Sequence, residues 1–421
     1  MSPCDLQTVP SMPPDTEGKN EQPVFDIFLI LFFLMFYCMK KVFLLGAMAV
    51  AALAACSKDD VVDVNKGEGI SFRASLDKAL TRANVTNLQN LQAFNVTAIG
   101  NGATYFTNLG VTSTDNGANW TTASTYYWPG YELTFFAYAP QSSAGAVSID
   151  NTAKKITGFS PAQSVAEQKD LVVSYNKGDK TNNEGTGVAM NFKHALSQIE
   201  VKAKCSNDKI KIEVIGVKLA NAAAKADFTF PEEETSTGYT LPQGKWSNLQ
   251  DKDNHDKAYM IQNASTPVTL NETAQSIMFG DDNFMLIPQL LTKWDGTNAT
   301  TGAYLSVLCR IYSLDGGNET LLYPQPTTSD DKTGKYAFAA VGIDTNWEPG
   351  KKYTYTLNFF GDGGGGGKID PTPTDPTDPD NPNVDDEPVE GDEGGDSILG
   401  NPIKFTVTVD SWTDQTEAVD M

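Results

Sequence analysis

The sequence predicts an all-β chain, most of it folded as two Greek-key β-sandwich domains. Between residues 61 and 360 it is a series of short runs, alternating in polarity or rich in β-branched residues, with Gly, Asn, Asp and Ser between them. Helical periodicity is sustained only around Leu76–Leu91, and asparagines interrupt it there. The patterned region is also too long for one seven-stranded sandwich of about 100 residues. A parallel α/β sheet would need helices between the strands, and none is patterned there.

The chain begins with two apolar blocks. Met39-Lys40-Lys41 followed by the alanine-rich run Val42–Ala55 has the charged start, short apolar core and small residues of a secretory signal. Leu53-Ala54-Ala55-Cys56 resembles the cleavage site of a bacterial lipoprotein, which makes Cys56 the expected lipidation site and the first mature residue. The run is shorter than the roughly 20 residues that span a bilayer. Residues 1–38, with prolines, acids and a second apolar block at Ile27–Cys38, precede the natural start at Met39 and read as upstream sequence. Ser57-Lys58-Asp59-Asp60 resembles the acidic export tag of surface lipoproteins in Bacteroidetes. The signal predicts a lipid-anchored protein, and the resemblance of the tag implies the outer face of the outer membrane.

The first sandwich is expected over 56–186, with strand runs at 69–74, 94–99, 132–138 and 170–175. The polar, Gly-rich stretch 176–187 separates it from a second sandwich at 187–360. Runs at 188–204, 209–219, 277–288, 303–313, 336–340 and 353–360 supply the strands of the second. Residues 361–397 hold nine Gly, six Pro and twelve acids with no apolar pattern, and read as a disordered acidic linker. Beyond it, within 398–421, Ile403, Phe405, Val407 and Val409 are apolar while the residues between them are polar. That clean period of two predicts a half-buried strand. Such a strand has no stability alone and must complete a sheet, in its own chain or in another molecule.

Composition narrows the chemistry. The net charge is −22, which excludes nucleic acid as an expected partner. Cys205 and Cys309 either pair or stay as buried thiols, and no Cys/His cluster announces a metal site. His194, in an alternating run, reads as a packed imidazole. His255 follows Asp251-Lys252-Asp253-Asn254, but the loop lacks the Gly and Glu of a calcium loop and reads as a solvated turn. There is no nucleophile elbow and no phosphate-cradling loop, so neither an enzyme nor a cofactor is predicted. Tyr126-Tyr127-Trp128 reads as core and sheet-edge aromatics, with a sugar-stacking platform as the rival reading.

Several motifs, in order, carry a family resemblance. They are the lipoprotein signal, Ser71-Phe72-Arg73-Ala74 followed by Thr81-Arg82-Ala83, and Leu91-Gln92-Ala93-Phe94-Asn95-Val96. After these come Tyr126-Tyr127-Trp128-Pro129, Leu133–Pro140, Phe192–Val201, Trp347–Leu357 and the tail strand ending at Trp412. Together they resemble the fimbrillin family of Bacteroidales, of the FimA- and Mfa-like kind. The resemblance implies two transthyretin-like sandwiches and a subunit of a surface pilus that supports adhesion. It further implies maturation by a protease that cuts after an arginine, removing the first strand so that a strand of another subunit fills the groove. Arg82 is the implied cleavage site and Arg73 the second. Ile403, Phe405, Val407 and Val409 are the implied groove-filling residues. Other fimbrillin subunits would be the partners, with host surfaces or glycans beyond them. Asp396-Ser397-Ile398 also resembles an O-glycosylation site of Bacteroidetes. The alternative function is a monomeric, lipid-anchored module that captures a glycan or host protein through Tyr126 and Trp128.

Overall fold

The computed structural model describes residues 68–76, 86–87, 90–142, 145–236, 238–280 and 283–412. Cys56, Arg82, the two N-terminal apolar blocks and most of Leu76–Leu91 lie outside them. The described residues form strands and turns with one short α-helix, Lys180–Asn183, capped by the Asp179 side chain.

In chain order the first strands are β1 (Phe72–Leu76), β2 (Ala93–Gly100), β3 (Ala103–Thr112), β4 (Thr121–Thr122), β5 (Leu133–Ala139), β6 (Ala146–Ile149), β7 (Lys154–Phe159), β8 (Val172–Gly178) and β9 (Val188–His194). Next come β10 (Ser197–Cys205), β11 (Ile210–Ala220), β12 (Lys225–Thr229), β13 (Trp246–Gln250), β14 (Tyr259–Gln262), β15 (Val268–Thr269), β16 (Gln275–Ser276) and β17 (Phe284–Leu286). The last are β18 (Tyr304–Asp315), β19 (Asn318–Tyr323), β20 (Ala337–Gly342), β21 (Lys351–Phe359), β22 (Lys368–Ile369) and β23 (Lys404–Ser411).

Seven strands form the first sheet, in the order β1-β9-β8-β5-β2-β3-β4. Its centre is buried on both faces: Phe94, Val96 and Ala98 enter one core while Ile99 enters another. Asn101 and Gly102, both at positive φ, make the tight β2–β3 turn whose twist suits a hairpin. The sheet curls until the segment behind β4 meets the one before β1, where the Ile70 N–H donates to the Tyr126 carbonyl at 2.7 Å. Its outer face packs on a four-stranded sheet, β13-β12-β7-β6. Phe136 and Tyr175 from the first sheet meet Ile156, Phe228 and Trp246 from the second.

The second module is also two-layered. A five-stranded sheet built on β16-β10-β21-β23, with β17 beside β10, faces a seven-stranded sheet built on β14-β11-β18-β20-β22. Val201, Tyr355 and Leu357 from one layer meet Val214, Val307 and Ala339 from the other.

Two expectations from sequence change. The first sheet runs past residue 186, because β9 pairs with β8 and β1. The polar stretch 176–187 is the connection between two strands of one sheet, and the turn to the second module falls at Ala195–Leu196. Strands β12 and β13, from the middle of the second half, return to complete the first module. The second change concerns 361–397, which is laid down as an ordered strap and not a free coil. It enters at β22, which pairs with β20, and returns through a narrow stem: the Ile398 N–H donates to the Gly367 carbonyl and the Ile369 N–H to the Asp396 carbonyl. Between these points the strap covers the outer face of the seven-stranded sheet, with Val384 against Ile215, Met260, Leu308 and Phe338. Its carboxylates are buried against basic and amide groups: Asp370 on Lys218, Asp385 on Lys332, and Asp375 on Gln262 and Asn381. Glycine suits the stem because the two chain segments touch; a Cβ on Gly365 would overlap the Asn401 backbone.

Candidate assembly site at the two terminal strands

β1 lies at one edge of the first sheet and runs parallel to β9, with Phe72 opposite Val188 and Leu76 opposite Phe192. Phe72, Ala74 and Leu76 form its inward face, as the period of two in FRASL requires. The Phe72 ring meets Phe135 and Phe94 edge-on, at 5.6 and 6.2 Å between centroids. Arg73 points outward and is exposed. Arg82 lies outside the described residues, but Thr86 just behind it is held: its N–H donates to Asp170 Oδ2 at 3.1 Å.

β23 forms the edge of the five-stranded sheet, antiparallel to β21. Its register runs from Lys404 opposite Asn358 to Ser411 opposite Lys351. The four alternating apolar residues are not equally placed. Ile403 is buried, Phe405 and Val407 are half-buried against the core, and Val409 is 51% exposed. The strand is therefore paired along its length but only partly packed.

Its far end is fixed by Trp412, which sequence reasoning did not single out as a contact residue. The indole stacks on the His194 imidazole, with centroids 4.3 Å apart and planes 11° from parallel. The Trp412 backbone N–H donates to the Gly350 carbonyl at 2.9 Å. His194 Nδ1 lies 2.7 Å from Asp170 Oδ2, and since a carboxylate only accepts, Nδ1 carries the donated proton. Asp170 thus touches both Thr86 and His194, and His194 in turn carries the Trp412 ring, so the segment behind Arg82 and the last described residue are linked through one buried carboxylate and its histidine. The signal in the sequence was the alternation Phe192, His194, Leu196, which gave the burial but not the partner.

Tyr126 and Trp128 pack against the first core, while Tyr127 between them is 39% exposed. Tyr126 lies 4.7 Å from Phe106 and Trp128 edge-on to Phe135 at 6.1 Å, both partly buried, so the two rings do not stand out as a platform. His255 sits in an exposed turn, and Cys205 and Cys309 are buried and unpaired. Burial pushes both thiols up. Among the described residues no group of three His, Cys, Asp or Glu side chains could hold a metal ion.

No curated protein matches this chain. Among solved structures it is similar to one from Parabacteroides distasonis whose suggested role is cell adhesion, at 11% identity and TM-score 0.45, covering 82% of this chain and 98% of that one. A Bacteroides eggerthii structure with the same suggested role aligns at 16% identity and TM-score 0.39, covering 82% and 97%. A fimbrial protein of Bacteroides ovatus aligns at 14% identity and TM-score 0.25, covering 70% of this chain and 49% of that one. The profile of the fimbrillin-like family matches residues 81–372, most of the sequence, and the chain belongs to that family.

Proposed function

We propose that this chain is a fimbrial subunit, delivered to the cell surface as a lipoprotein acylated at Cys56 and matured by cleavage after Arg82, with Arg73 the second site. Cleavage releases β1, and a strand of another subunit takes its place. The observation that carries this reading is the position of β1. It is the first described strand, among the described strands it pairs with β9 alone, and yet it supplies Phe72 and Leu76 to the core. Such a strand can leave without breaking any later connection, and its loss opens an apolar groove beside a free row of β9 backbone groups. An extended segment with apolar side chains at alternate positions fits that groove by β-augmentation. The vacated positions, 72, 74 and 76, have the spacing of Phe405, Val407 and Val409, with Ile403 leading. β23 is the donor proposed here, released from its own β21 and received by the next subunit.

The test is treatment of the purified precursor with an arginine-specific protease. One product beginning at Ala83 and heat-stable ladders on a denaturing gel are expected, and deletion of 398–421 should abolish the ladders. Absence of ladders, together with no effect of the deletion, overturns the reading.

A further inference from the structure

Beneath the strap one pair of side chains is arranged for a reaction between them. Lys218 on β11 and Asp370, just past β22, are 2% and 0% exposed, with Nζ 2.9 Å from Oδ2. The Phe338 ring lies 4.0 Å from Nζ, and both side chains are buried beneath the strap. The two carboxylate oxygens are treated differently. Oδ1 accepts from the Thr372 N–H at 2.8 Å and the Tyr304 O–H at 2.9 Å, with the Thr372 hydroxyl at 3.3 Å. Oδ2 has no hydrogen-bond partner and faces only the ammonium. The remaining protons of Nζ go to the Thr372 and Thr374 carbonyls at 2.8 and 3.2 Å.

We propose that Lys218 and Asp370 condense to an intramolecular amide that ties the strap covalently to β11. The proton on the third Nζ position passes to Oδ2, which leaves a lone pair directed at the carboxyl group. Nζ attacks Cγ. Negative charge develops on Oδ1, where two donors already point, as in an oxyanion hole. Oδ2 leaves as water, carrying two of the three ammonium protons; the third stays on the amide nitrogen. Nothing is oxidised or reduced, and no co-reactant is needed. Confinement replaces activation, because two groups held in contact react at effective concentrations far above those in solution. Burial also disfavours the charged amine, which pushes Lys218 down, although Asp370 and Asp375 pull the other way.

The same strap carries an internal control. Lys332 meets Asp385 at 3.0 Å but also Asp330 at 3.2 Å; burial works against its charge, but the two carboxylates together outweigh it and raise its pKa. On the other sheet, Lys352 meets Glu200 at 2.6 Å with its side chain 11% exposed. Asp385 likewise has an Oδ2 with no donor besides the ammonium, and its Oδ1 accepts from Lys332 Nζ and the Glu387 N–H, both at 3.2 Å. What distinguishes Asp370 is the Tyr304 hydroxyl on Oδ1 and an amine that meets a single carboxylate, so one water is lost from the chain and not more.

Peptide mass mapping of the full chain after denaturation decides the matter. The expected result is a branched peptide joining residues 218 and 370, lighter by one water than its two arms, with no tryptic cleavage after Lys218. Lys218→Met and Asp370→Ala remove it. Tyr304→Phe slows its formation by about a hundredfold, the usual loss for one oxyanion donor, read as an unlinked fraction early after synthesis. Linear peptides alone from the folded wild-type chain overturn the proposal and leave Lys218–Asp370 as an ion pair.

Discussion

β1 and β23 are both end strands on sheet edges, yet they are held in opposite ways. β1 is short and buries its large side chains; Phe72 and Leu76 are 5% and 7% exposed. β23 is longer and keeps a full antiparallel register, but its inward face stays half open. Backbone pairing and core filling are therefore separable contributions. Burying Phe72 and Leu76 contributes about 2–3 kcal/mol each. β23 is held by its ladder and by two end anchors, Ile403 and Trp412, both buried. Loss of the strand that fills a core uncovers apolar surface, whereas loss of the strand that mainly pairs uncovers mostly backbone.

Substitutions in the uncleaved chain can break this contrast. Phe72→Ala should cost about 3–5 kcal/mol in denaturant unfolding, since it leaves a cavity among Phe94 and Phe135. A cost under about 1 kcal/mol would mean that β1 does not fill the core. Trp412→Ala should lower global stability less, by about 1–2 kcal/mol, because the strand end can detach locally. Its signature is faster amide exchange across 404–411 with 72–76 unchanged; equal acceleration of both strands would erase the distinction. Val409→Thr, at the exposed end of the alternation, should stay within about 0.5 kcal/mol. A larger loss would show that β23 is packed along its whole length.

The strands legible in sequence were those whose burial follows a period of two, such as 94–99 and 403–412. β3 was missed although Asn101-Gly102 is a strong hairpin signal between alternating runs. The run 188–204 divides into β9 and β10, which serve different sheets, because a change of sheet leaves no mark on periodicity. The strap was illegible for a different reason. Six prolines and twelve acids describe solvated coil when read locally. The groups that bury those acids, Lys218, Gln262 and Lys332, lie on distant strands and strap-facing turns, and pairing at that range has no local pattern. At the assembly site the alternating apolar residues were visible, while the Trp412–His194–Asp170 contact depended on three segments brought together only by folding.

The β21–β23 ladder also has a mechanical meaning. Its hydrogen bonds lie across the strand axis, from Asn358–Lys404 to Lys351–Ser411. Tension applied at the end of β23 along that axis loads the whole ladder in shear, so the bonds must yield together. Tension applied across the axis peels them one after another. Release of β23 from β21 is therefore easy by peeling from one end and hard by pulling along the strand.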